Sequence, residues 1–221
     1  VYISEPGTYT ELAEGNIMVN VPGVVLKDLE VKGDVIVGDG VGNGDLTLDN
    51  VKIGGRLVVR GGGENSIIII NGSSVGNIVV SKSSDGGVRV RTSQGCSVEV
   101  VYVDDGRDDV ILQGEFNSVI VESDVKVILK DAEVTSLSLA AEGSNVSLEG
   151  ESKVTSVDIG KDAEGSKLSI GRDSSVAALN SSAEGASIGG KGKLESANVS
   201  GNNTSVNTVG TNLTVAENTS G

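Results

Sequence analysis

One short phrase recurs along this chain: an apolar residue, two small or polar residues, then a brief alternating run. It appears as VGNIVV from Val75, VEVVYV from Val98, FNSVIV from Phe116, VTSLSL from Val134, VTSVDI from Val154, VAALNS from Val176 and LESANV from Leu194. Slightly longer versions, VKGDVIV from Val31 and IGGRLVV from Ile53, precede them. The spacing averages about 20 residues, the period of a solenoid coil.

Each interval holds three short strand-like pieces whose alternation sends every second residue to the same side. The first piece is exemplified by residues 17–19, 35–37, 57–59 and 78–80, and the second by residues 46–48, 67–69, 88–90 and 110–112. The third is shorter and includes the recurring valine. Strands this short cannot bury a face alone, but stacked coils would share one apolar interior. The expected fold is therefore all-β: a single-domain parallel β-helix of about ten coils. Right-handed winding follows from the general handedness of parallel crossovers. Regular short strands with turns are also compatible with an antiparallel sandwich, which the phrase similarity between coils disfavours. Residues 1–15 read as an N-terminal cap, 16–215 as coils and 216–221 as a C-terminal tail. Near the C-terminus the inward positions shrink to Ser181, Ala186 and Ala197, so the interior should narrow.

The composition suits that fold, since aromatics make up only 2% and the core must be built from Val, Ile and Leu. Histidine is absent, which excludes serine-histidine and cysteine-histidine catalysis and removes the commonest metal ligand. A formal charge of -14 argues against nucleic acid and anionic membranes as partners. No apolar run of about 18 residues is present for membrane insertion. Cys96 stands alone and reads as a small buried residue. Starting at Val1 without Met, the chain reads as a mature chain or an excised fragment.

The stretch GDGVGNGDLTL, from Gly38 to Leu48, poses a choice between a phosphate cradle, a calcium loop and a turn. It precedes a strand, so no helix N-terminus is available for phosphate. Its counterparts in other coils, among them RGGGENS from Arg60, SKSSDGG from Ser81 and DDGRDD from Asp104, form a column of turns of varying length. Gly and Asp supply turn chemistry there, and the column should give the rod one acidic edge. No cofactor is expected; the alternative is weakly bound calcium, with Asp104, Asp105, Asp108 and Asp109 as its weak candidates.

Two outward surfaces stand out. The middle residues of the first strands are Met18, Ile36, Val58, Val79, Tyr102 and Ile120, then Ser138, Asp158, Asn180 and Asn198. The apolar portion is the candidate interface with another copy or a neighbouring domain. The second strands present Thr47, Ile68, Arg89, Ile111 and Ile128, next to Arg91 and Lys130. Of these, Ile68, Arg89, Arg91, Ile111 and Lys130 are the candidate contacts for an acidic polymer or partner.

The residues PGTY, VKGDVIVGDGVGNGD and GRLVVRGGGENSI resemble an extracellular parallel β-helix region of Gram-positive bacterial surface proteins, which often accompany S-layer homology anchors. The resemblance is clearest from Val1 to about Val103 and implies export, a cell-surface or cell-wall location and an architectural or adhesive role. The functional expectation is a non-catalytic scaffold or spacer. The alternatives are an adhesin for cell-wall or plant polysaccharide and a calcium-dependent polysaccharide lyase. For the lyase, Arg60, Arg89, Arg91, Arg107 and Asp108 supply suitable groups, but the long loops that wall a cleft are missing.

Overall fold

The computed structural model describes all 221 residues. Strand accounts for 57% of them, there is no α-helix, and the chain winds through about 11 turns of a parallel β-solenoid. At about 4.8 Å per strand spacing the rod is roughly 50 Å long.

The recurring phrase sets the register. Val31, Ile53, Val75 and Val98 are successive partners, and so are Phe116, Val134, Val154, Val176 and Leu194. Every strand pairing along the first sheet is likewise parallel, from Tyr2–Ile3 against Met18–Val19 to the final strand, Asn212–Val215. Several strands bend round a corner without interruption, as Leu46–Val59 and Lys126–Leu139 do. Alternation within each piece puts the ends inside: Ile17 and Val19 are buried while Met18 is half-buried.

The inward columns merge into one core of 53 buried residues, with Phe116 its single large aromatic. Burial on this scale, at roughly 25 cal/mol per Å² of apolar surface, is the main force holding coils together. The interior narrows as expected, since Ser181, Ala186 and Ala197 are all buried in it. Cys96 is buried and free, with its thiol directed to the Ile69 carbonyl oxygen at 3.4 Å. It occupies a corner where other coils place serine. Ser73 and Ser152 there accept the Val51 and Ala132 amides at 2.9 and 3.0 Å.

Residues 1–15 do more than cap. Tyr2–Ile3 and Gly7–Tyr9 supply the first rungs of two sheets, pairing with Met18–Val19 and Val24–Leu26. Residues 216–221 are tied back by the Asn203 amide, which donates to the Ser220 carbonyl oxygen at 2.7 Å. In GDGVGNGDLTL, Asp39–Val41 forms a single 3₁₀ turn and Val41 turns inward. Gly40 lies so close to the preceding coil that a Cβ there would overlap the Asn20 carbonyl oxygen. The stretch is a turn packed against its neighbour, with Leu46 and Leu48 in the core.

Candidate functional site

The six apolar residues expected on the first sheet's exterior are consecutive register partners, Met18 to Ile36 to Val58 to Val79 to Tyr102 to Ile120. Tyr2 extends the file by one rung at its front. It escapes notice in the sequence because residues 1–15 read as a cap, although Val1-Tyr2-Ile3 repeats the alternation of Ile17-Met18-Val19. Tyr2 is 61% exposed, and its hydroxyl accepts the Asn20 side-chain amide at 2.9 Å. From Ile120 the column continues as Ser138, Asp158, Asn180, Asn198 and Thr214. A file one side chain wide over these rungs covers on the order of 200 Å². A stable interface takes about 800 Å² from each partner.

The second sheet gathers the other candidate residues on one face but with a different alignment from the expected one. Ile68 stacks on Arg91, and Arg91 on Gln113, whereas Arg89 stacks on Ile111 and Ile111 on Ile128. The shift arises because Val88–Thr92 carries an extra inward residue, Thr92, opposite Ile69. Ile111 is also not the exposed contact expected: Ile111 and Ile128 point outward yet are only 8% and 9% exposed. Arg89 reaches diagonally beside Ile111 to donate from Nη1 to Gln113 Oε1 at 2.9 Å, and its Nε is buried without an acceptor. Arg91 and Lys130 are exposed. Arg89, Arg91, Lys126 and Lys130 take part in none of the chain's ion pairs.

The acidic turns do not converge. Asp105 accepts the Gly106 amide at 2.8 Å, and Asp108 accepts the Gly86 amide at 2.5 Å from the neighbouring coil. Arg107 pairs with Asp85 at 2.9 Å. Nowhere do three or more acidic, thiol or imidazole side chains come together as a metal cluster would require, so Asp104, Asp105, Asp108 and Asp109 are not one ligand set. Because the turns differ in length, each carboxylate serves its own loop. A feature missed from the sequence lies beside them: Lys82 is 2% exposed, with Nζ donating to Asn43 Oδ1 at 2.7 Å and to the Asp85 and Gly86 carbonyl oxygens at 3.2 and 2.6 Å. Burial lowers its pKa, against the opposing pull of Asp108 and Asp85. Nothing in SKSSDGG marks one lysine for burial.

Two shallow depressions of about 370 and 340 Å³ adjoin at the third sheet and share Glu115 and Glu133. These two glutamates are register partners. Paired carboxylates at adjacent-strand spacing have the geometry of a retaining glycosidase, but a general acid must be desolvated to hold its proton. Both side chains are exposed, and no loop covers them. Of the groups named for a lyase, Arg60 and Arg107 are held in ion pairs with Asp39 and Asp85.

The geometry defines a class, a parallel β-solenoid with two chemically distinct outer faces. No protein-family model, curated protein or solved structure matches the chain. No helix is long and apolar enough to cross a membrane.

Proposed function

We propose that this chain is a non-catalytic structural rod, a scaffold or spacer at the outer cell surface, able to make weak lateral contacts through its apolar file. The observation that carries this reading is the unbroken parallel register from Tyr2 to Val215 around a single core. Such a stack resists bending because every coil is hydrogen-bonded to its neighbours, and no loop interrupts it to build a walled cleft. The resemblance of PGTY and VKGDVIVGDGVGNGD to surface β-helix regions supports the location.

Immunogold labelling of intact producing cells should mark their outside, and label confined to the interior would overturn the surface reading. Sedimentation velocity tests the lateral contact. The parent chain should show weak, concentration-dependent association that the pair Val58→Lys and Val79→Lys removes. A parent that sediments identically at every concentration would eliminate it. A second reading, a polysaccharide adhesin, is favoured by the outer face of the second sheet, where cations outside any ion pair flank a low central file.

A further inference from the structure

The second sheet's exterior is organised in files that run along the rod. Its central file is low: Arg89 is followed by Ile111, Ile128, Ser147 and Ser169, each the register partner of the last. On one side Lys126, Asn145 and Lys167 are consecutive partners. On the other lie Arg91 and Gln113, with Lys130 following Leu129 just as Gln113 follows Leu112. Beyond Arg89 the file from Ile111 to Ser169 thus lies low, and long cationic side chains rise along both margins. Lys126, Lys130 and Lys167 are exposed and, like Arg91, form no ion pair, although Glu149 is the partner of Lys130 on the next strand. In a chain of charge -14, a face that gathers four cations outside any ion pair stands apart from the rest of the surface.

We propose that this face binds an extended polyuronate chain, an acidic polysaccharide with one carboxylate per sugar, lying parallel to the rod axis. The proposal rests on the adhesin reading and names its ligand class. The sugar chain would run along the low central file, over Ser147 and Ser169 and past the largely covered Ile111 and Ile128, and carboxylates would reach the marginal cations. Arg91 and Lys130 lie two strands apart, as do Lys126 and Lys167, so the two cations of each margin are about 10 Å apart. An extended polymer that repeats its charge can meet several of them at once, which a compact ligand cannot. A nucleic acid strand fits less well, because single strands need aromatic platforms for their bases and this face has none. The acidic turns repel a polyanion at long range. At physiological salt, however, charges beyond about 8 Å are screened, whereas contact pairs persist.

Affinity electrophoresis of the full chain through gels containing polygalacturonate, its fully methyl-esterified form or hydroxyethyl cellulose tests this. Polygalacturonate alone should retard the protein, and the retardation should fall in high salt. The double variant Arg91→Glu and Lys130→Glu should bind about tenfold more weakly. The variant Lys32→Glu and Lys52→Glu makes the same charge change on the third sheet, in the first coils, and should bind like the parent. Thermal melts would confirm that both variants are folded. Equal retardation by the methyl ester or by the neutral polymer would overturn the polyuronate proposal and leave the adhesin standing. No retardation by any polymer would remove both. Equal weakening in the two double variants would show a net-charge effect and refute the site.

Discussion

The two halves of the rod share a backbone and differ in what ties their coils together. Up to about residue 110, exposed ion pairs link adjacent coils: Lys27 to Asp49, Lys32 to Glu14, Lys52 to Glu30, Arg56 to Asp34, Arg60 to Asp39 and Arg107 to Asp85. Beyond that point the sole ion pair, Lys193 to Glu195, lies within a single strand. Hydroxyls take over. Ser156, Ser182, Ser196 and Ser200 donate to the Thr135, Ile159, Ala177 and Ser181 carbonyl oxygens one coil back. The first-sheet exterior changes at the same place, from Ile120 to Ser138. The core restricts the inward columns in both halves, so the exterior could diverge without altering the winding.

Ahead of the narrowed coils near Ser181, truncating the core should cost the same in either half. Leu48→Ala and Leu148→Ala, at positions 0% and 1% exposed, should each lose about 2–5 kcal/mol by urea denaturation. A loss below about 1 kcal/mol at Leu148 alone would mean that the second half is looser inside as well. A smaller effect, of opposite sign, belongs to the second half. Ser181 sits in an inward column between Ile159 and Val199 with its hydroxyl unpaired. Ser181→Val should therefore add about 1 kcal/mol, since an unsatisfied buried hydroxyl is removed. No gain would imply that the hydroxyl has a partner in solution.

The smallest effect separates the halves by pH. The hydrogen bond from the Arg56 guanidinium, helped by the Arg56 amide, holds the Asp34 carboxyl below the usual aspartate range. Its contribution to stability is complete above the ordinary value of about 3.9 and is lost as pH falls through the lower folded value. Acidification should loosen coils around Asp34 by less than about 1 kcal/mol while leaving those around Ser200 unchanged. Amide hydrogen exchange resolved along the chain reads the difference, and Asp34→Asn should flatten the pH dependence in the first half.

The fold was legible because stacking demands repetition. An inward Val or Leu at a fixed phase cannot vary without opening a cavity, so Val75, Val134 and Val154 announce their coils. Tight turns were legible for the same reason, since Gly40 has no room for a side chain. The outward file from Met18 to Ile120 followed from the alternation. What the sequence concealed depends on neighbours in space. The burial of Ile111 comes from the outer surroundings of its strand, and the pairing of Ile68 with Arg91 depends on one extra inward residue in the next coil. The carboxylates of DDGRDD looked like a set because they are adjacent in sequence, yet Asp108 serves Gly86 and Asp105 serves Gly106.

Lys82 bears on how this rod would come apart. A solenoid stabilised by contacts between adjacent coils behaves as a one-dimensional chain of units that can fray singly from either end. Lys82 and Asn43 are 39 residues apart, and their hydrogen bond skips the intervening turn at residues 60–66. A coupling that reaches past the nearest neighbour makes three coils open or close together, so fraying from the N-terminus should halt at this clasp.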